Sequence, residues 1–84
     1  MIVALNHKSN FTKDEIVKYL EDYKNLNTYN NEMILIPSVC YLPLMPNNMT
    51  YASEDVSSKT MGAYTGEVTA KAIKSLGATY TLIN

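Results

Sequence analysis

This sequence predicts an α/β fold: four parallel strands joined by two clear helices and one stunted segment. Three observations carry that reading. Four short apolar runs recur along the chain, helical patterns with start signals stand in two of the three gaps, and polar residues gather where each run stops. Continuous runs of about four to six apolar residues, without alternation, suit strands buried on both faces of a parallel sheet.

Ile2-Val3-Ala4-Leu5 is the first run and ends in polar Asn6. After it, Thr12-Lys13-Asp14-Glu15 has the spacing of a capping box, in which Thr12 and Glu15 each satisfy an orphan backbone donor. Ile16, Leu20 and Tyr23 then recur at helical spacing with Lys and Glu opposite, so a helix is expected up to about Leu26, where asparagines take over. Met33 to Ile36 is the second run, closed by Pro37-Ser38. In the connection from Cys40 to Asn48, Pro43 and Pro46 confine any helix to about one turn, because proline breaks a helix interior. Met49 to Ala52 is a weaker third run, followed by Ser53-Glu54-Asp55.

The second helix is expected to open at Thr69, a good N-cap, with Val68 and Ile73 placed for a hydrophobic staple across it. Ala72, Ile73 and Leu76 make its predicted buried face, and Gly77 suits the left-handed position after a helix. Tyr80 to Ile83 is the fourth run, followed by Asn84. Successive strands joined this way form a parallel sheet with right-handed crossovers. No linker, repeat or low-complexity tract interrupts residues 1–84, which read as one domain.

Composition narrows the function classes. The chain of 84 residues is 46% apolar and 18% charged, which argues against disorder. A net charge of -1 gives no electrostatic footprint for nucleic acid or an anionic membrane. All 7 basic side chains are lysines, so bidentate guanidinium recognition of phosphate is absent. The single cysteine, Cys40, cannot form an internal disulfide, which favours a reducing, cytoplasmic setting. The N-terminus shows no basic region followed by a long apolar stretch, so no secretory signal is expected, and no stretch approaches the ~18 apolar residues that span a bilayer.

The polar residues after the runs, Asn6 and Lys8, Ser38, Glu54 and Asp55, and Asn84, mark the carboxyl edge of the sheet, where parallel α/β folds bind ligands. Lys8 is the strongest single candidate: a lysine just past a buried strand can hold a point charge over a shallow pocket, suiting a phosphate or a developing oxyanion. The plainer alternative is a solvated surface lysine. Asn6 can fix Lys8 or bond a substrate, or simply cap the strand's exit. The glycines of Gly62-Ala63-Tyr64-Thr65-Gly66-Glu67 bracket a protruding tip that exposes Tyr64, an aromatic of the kind enriched in contact cores. It is no phosphate loop, since no GxxxxGK[ST] occurs. His7, the only histidine, has no partner at ligand spacing and reads as a surface or packing residue, so no metal is expected. Cys40 reads as a small core filler, and Glu54-Asp55 as a solvated pair at a loop edge.

Five segments fall in a familiar order: Asn-x-Lys-x-Asn at 6–10, Ile-Pro-Ser at 36–38, Tyr-Leu-Pro-Leu at 41–44, Glu-Asp-Val-Ser at 54–57, and Gly-Ala-Tyr-Thr-Gly-Glu-Val-Thr-Ala at 62–70. Together they span essentially the whole chain, and they resemble the N-terminal part of the triosephosphate isomerase family. The resemblance implies the N-terminal half of a TIM (β/α)8 barrel. It also implies a cytoplasmic, cofactor-free homodimer that interconverts dihydroxyacetone phosphate and D-glyceraldehyde 3-phosphate in glycolysis and gluconeogenesis. Asn6 and Lys8 would contact the triose phosphate substrate, with Lys8 catalytic, stabilising enediolate and phosphate charge. Tyr64, Thr65, Gly66 and Glu67 would form the interface loop that enters the partner subunit and buttresses its Asn–Lys pair.

Departures accompany the likeness. His7 and Ser9 stand where the family usually has Trp and Met, Glu54 replaces a usual Gln, and the second connection is shortened by more than a turn. The family's catalytic histidine would come directly after Asn84, and its glutamate base, mobile lid and phosphate loops later still. About a third of a barrel of ~250 residues is therefore expected here, inactive by itself. The alternative from another class is a non-catalytic αβ interaction module. Its first and fourth strands would be open edges, so it would self-associate or complement another half-barrel, with a weak phosphate or sulfate site at Lys8.

Overall fold

The computed structural model describes residues 1–26, 29–59 and 61–83; Asn84, named above at the end of the fourth run, lies outside them. In chain order the elements are β1 (Ile2–Asn6), α1 (Lys13–Tyr23), β2 (Glu32–Ile36), a 3-10 helix (Val39–Leu44), β3 (Thr50–Ser53), α2 (Ala70–Ser75) and β4 (Tyr80–Thr81). The strands form one parallel sheet in the order β1-β2-β3-β4, the arrangement expected of the N-terminal part of a TIM barrel.

Register assigns every strand residue to a face. Leu5 pairs with Leu35 and Leu35 with Tyr51, so these three side chains share one side of the sheet. Against that side pack Ile16 of α1, Leu42 of the 3-10 helix, Met45, Ile73 of α2 and Ala78, which close the core with Leu35 and Tyr51. Ile16, Leu35 and Leu42 are fully enclosed. Burial on both faces, expected for all four runs, is not what β1 has: Ile2 and Ala4 are exposed while Val3 and Leu5 are half-buried. The reason is that the core elements pack on the Leu5–Leu35–Tyr51 side. On the other side only the central strands are shielded, at Ile36 and Ala52.

The capping box forms at the start of α1, where Glu15 Oε1 accepts the Thr12 N–H at 3.0 Å and the Thr12 hydroxyl at 2.9 Å. This helix ends at Tyr23, short of Leu26, because the chain tightens there: Asn25 N–H donates to the Asp22 carbonyl at 3.2 Å and Leu26 N–H to that of Tyr23 at 2.9 Å. Each of these bonds reaches back three residues, the tighter spacing of a closing turn. The proline-bearing connection is a 3-10 helix that starts at Val39 and carries Pro43 inside it, longer than the single turn expected. Cys40 on it is exposed and fills no core, since the helix turns Leu42 inward instead. β3 begins one residue later than its apolar run, and β4 pairs only over Tyr80 and Thr81.

Thr69 caps α2 as expected, its Oγ1 accepting the Ala72 N–H at 3.1 Å. Ala72 is exposed, so the inward face of this short helix reduces to Ile73 and Leu76. Gly77 follows with φ +96, the left-handed conformation that glycine adopts without steric cost. A Cβ there would overlap the hydroxyl of Tyr51, which donates to the Leu76 carbonyl at 3.2 Å. The turn out of α2 is thereby tied to the middle of the sheet.

Candidate functional site

At the carboxyl end of β1 the backbone turns sharply. Lys8 has φ +54, a conformation costly for a residue with a Cβ, and three hydrogen bonds surround it. The Lys8 N–H donates to Asn6 Oδ1 at 3.0 Å, and the Ser38 hydroxyl donates to the Lys8 carbonyl at 2.9 Å. One residue earlier, the His7 N–H donates to the Ile36 carbonyl at 2.9 Å, extending the pairing with β2 past the strand's end. Asn6 thus shapes the turn through its own side chain, as short amides do. Ser38 ties the turn to the end of β2, and the Lys8 side chain remains exposed to solvent.

His7 points the other way. Only 6% exposed, its ring lies edge-on to Phe11 (centroids 4.9 Å apart, 71° between planes) and to Tyr19 of α1 (4.5 Å, 76°). Neither ring nitrogen has a hydrogen-bond partner, and burial holds the imidazole below its ordinary pKa of 6.5. Behind the slot, Tyr23 stacks on Tyr19 at 6.2 Å, and burial raises both phenols above their ordinary range.

Glu54 follows β3 and is no solvated partner to exposed Asp55, as the sequence suggested. Its Oε2 is buried without a partner, because the strand's exit carries the carboxyl inward. That burial raises its pKa above 4.5, and the Lys8 main-chain N–H facing the carboxyl pulls in the opposite direction. Glu54 also lines a cavity of about 200 Å³ with Val39, Val56, Gly66, Glu67 and Val68. It therefore stands between the Lys8 turn and the 62–67 loop.

That loop is pinched at its base, where the Ser57 N–H donates to the Val68 carbonyl at 2.9 Å. Tyr64 is 55% exposed at its tip, with the Lys59 ammonium 5.7 Å from the ring centroid, and Gly66 turns the chain at φ +79. Among the described residues no group of three or more His, Cys, Asp or Glu side chains could hold a metal ion.

The sequence-predicted residues therefore fall into two places. Asn6 and Lys8 are joined directly, whereas Tyr64, Thr65, Gly66 and Glu67 project on a separate loop linked to them through Glu54. Sequence reasoning missed the aromatic slot around His7. It joins a strand end, a loop and a helix, and no local periodicity marks such a junction. A turn held at the carboxyl end of a parallel strand, with an exposed ammonium, can present one fixed positive charge to an anionic ligand.

The model of the triosephosphate isomerase family matches residues 1–84 of this chain. A triosephosphate isomerase of Pseudoalteromonas translucida is 36% identical over 85 residues, covering 98% of this chain and 33% of that relative. One from Debaryomyces hansenii is 34% identical over 86 residues, covering 95% of this chain and 35% of its own length. One from Clostridium acetobutylicum is 31% identical over 88 residues, with 98% and 36% covered. The chain spans about a third of the length of these curated relatives.

Proposed function

The chain belongs to the triosephosphate isomerase family, and from that premise we propose that its Lys8 turn is the anion-contacting part of an aldose–ketose isomerase site for triose phosphates. The observation that carries this reading is the clasped Lys8 main chain, with φ +54 and bonds from Asn6 and Ser38, which fixes where the exposed ammonium starts. In such a site Lys8 is the catalytic residue of this segment. Its charge stabilises the enediolate and phosphate more as negative charge develops, the form of binding that accelerates a reaction. Asn6 holds the turn and contacts substrate. The exposed loop of Tyr64, Thr65, Gly66 and Glu67 serves the homodimer, entering the partner subunit. The setting is cytoplasmic glycolysis and gluconeogenesis; among the described residues, no helix is long and apolar enough to cross a membrane.

Residues 1–84 alone do not turn over substrate on this reading. Proton abstraction needs a positioned base and a group polarising the carbonyl. The only histidine is enclosed by Phe11 and Tyr19, and the Glu54 carboxyl faces the Lys8 main chain. The test is turnover of glyceraldehyde 3-phosphate by the purified chain, and by the chain continued into the rest of a family barrel, each with Lys8→Ala. Activity only in the extended protein, lost with Lys8→Ala, supports the reading. Turnover by the 84-residue chain itself, abolished by Lys8→Ala, would overturn the inactivity, and an extended enzyme indifferent to Lys8→Ala would overturn the role of Lys8.

A second reading, a non-catalytic module that self-associates or complements another half-barrel, draws on the uncovered side of the sheet. Ile2 is 64% exposed there and Tyr80 53%, on strands that end the sheet. Light scattering and hydrogen exchange test it: a monodisperse, well-protected monomer counts against it.

A further inference from the structure

The turn at Lys8 is strained, and the residue beside it is the most enclosed polar side chain of the site. A neutral imidazole has one N–H donor and one acceptor. In His7 both are buried without partners, so the ring is held by shape and edge-on aromatic contact rather than by polar bonds. Such a slot accepts a neutral ring at modest cost and rejects a charged one strongly, because an unpaired buried charge is far more expensive than an unpaired dipole.

The surroundings offer a proton-bearing ring no compensation. From α1 the titratable groups against it are the phenol of Tyr19 and, behind that, Tyr23, both neutral throughout the acid range. Phe11, on the segment leading into α1, contributes only its ring. Glu15 in the first turn of α1 is engaged by Thr12, and Glu54 at the exit of β3 faces the Lys8 main chain. Tyr41, on the 3-10 helix, has its phenol pushed up by burial. On the chain itself the flanking ionised group is the Lys8 ammonium, of like sign to an imidazolium.

Backbone connectivity converts ring expulsion into a change at the turn. The bond from the Lys8 N–H to Asn6 Oδ1 spans His7, and the His7 N–H is itself bonded to Ile36. A residue with φ +54 keeps that conformation only while its neighbours impose it.

We propose that His7 is a positioning residue that latches the Lys8 turn: neutral, its ring seats between Phe11 and Tyr19 and holds Lys8 in its left-handed conformation; protonated, it leaves the slot and the turn opens. The latch concerns the turn and not the reaction, so it stands or falls separately from the isomerase reading.

Because the chain has 1 histidine, its ring resonances are followed by NMR without ambiguity. In an acid titration the ring should protonate below 6.5, with the amide signals of Lys8 and Ser38 shifting at the same midpoint while the core methyls of Ile16 and Ile73 stay in place. In His7→Phe, which fills the slot without titrating, the Lys8 signal should be flat across that range. Should that variant not fold, Tyr19→Leu loosens the slot and should move the ring and Lys8 midpoints together toward 6.5. Separate midpoints for ring and turn, a Lys8 transition that persists in His7→Phe, or loss of the Ile16 and Ile73 signals at the ring's midpoint would each overturn the latch.

Discussion

Two glycines with the same backbone demand and different surroundings permit a controlled measurement. Gly66 has φ +79 with nothing within 4 Å of where a Cβ would stand, whereas Gly77 has φ +96 and the Tyr51 hydroxyl already occupies that space. An L-residue held in the left-handed region costs about 1–2 kcal/mol. Gly66→Ala should cost about that and no more. Gly77→Ala adds the displacement of Tyr51. The hydroxyl loses its bond to the Leu76 carbonyl, worth about 1 kcal/mol. The ring must also shift within a packed core, at about 1–3 kcal/mol. The total is about 3–6 kcal/mol, against about 4–12 kcal/mol of stability for a domain this size. Urea unfolding followed by circular dichroism measures both variants. Tyr51→Phe/Gly77→Ala completes the cycle. Without the hydroxyl, the ring carbon that bore it still lies 3.1 Å from that Cβ, so the alanine at 77 should cost less than in the parent but more than the one at 66. If Gly77→Ala is no worse than Gly66→Ala, or its cost is unchanged in the Tyr51→Phe background, the steric argument is wrong.

Three further outcomes are expected. Ile16→Ala removes a fully enclosed side chain between α1 and the sheet and should cost about 2–4 kcal/mol in the same urea assay; a loss under about 1 kcal/mol would mean the core is not built around α1. Glu54 has a raised pKa, so its neutral form is the one the fold favours: that stability is fully present below 4.5 and is lost as pH rises through the folded value. Glu54→Gln should therefore melt higher than the parent at pH 7, with the gap closing in acid; an equal gap at both pH values refutes the burial argument. In a barrel-completed protein, Thr65→Asp should weaken the dimer by burying an unpaired charge, with activity partly recovered at high protein concentration. A tight dimer inactive at every concentration would instead give the loop a direct chemical role.

Much of this fold is legible in the residues themselves. Four apolar runs, the Thr12–Glu15 box, the Thr69 cap and Gly77 each name a local structure that the parallel sheet and two helices then adopt. What was not legible depends on partners distant in sequence. Ile2 and Ala4 read as buried because the run is apolar, but their exposure is decided by which side of the sheet the core elements cover. Cys40 looks like core until the 3-10 helix sets the phase that turns Leu42 inward. Asn6 and Lys8 could be singled out from type and position. The clasp that fixes them could not, because Ser38 reaches Lys8 across a separation of 30 residues and Glu54 arrives from a third strand. His7 reads as surface or packing, and only the fold brings Phe11 and Tyr19 to its two sides.

The ladder between strands is uneven, and this sets an order of assembly. β1 and β2 are in register from Ile2–Glu32 to Asn6–Ile36, the full length of both strands, while β2 with β3 and β3 with β4 each share only 2 register pairs. The β1–α1–β2 unit has the longest ladder of the sheet and includes a helix with its own cap, so it is the part able to form before the rest is present. β3 then docks on Leu35 through Tyr51, and α2 with β4 joins last. Native-state hydrogen exchange should show the same gradient, with amides of Ala4 and Ile34 opening only with the whole molecule and those at Tyr80 and Thr81 opening in a smaller, earlier step. The Lys8 turn follows directly on β1 and is bonded to the end of β2, so its geometry is established with the first unit to fold.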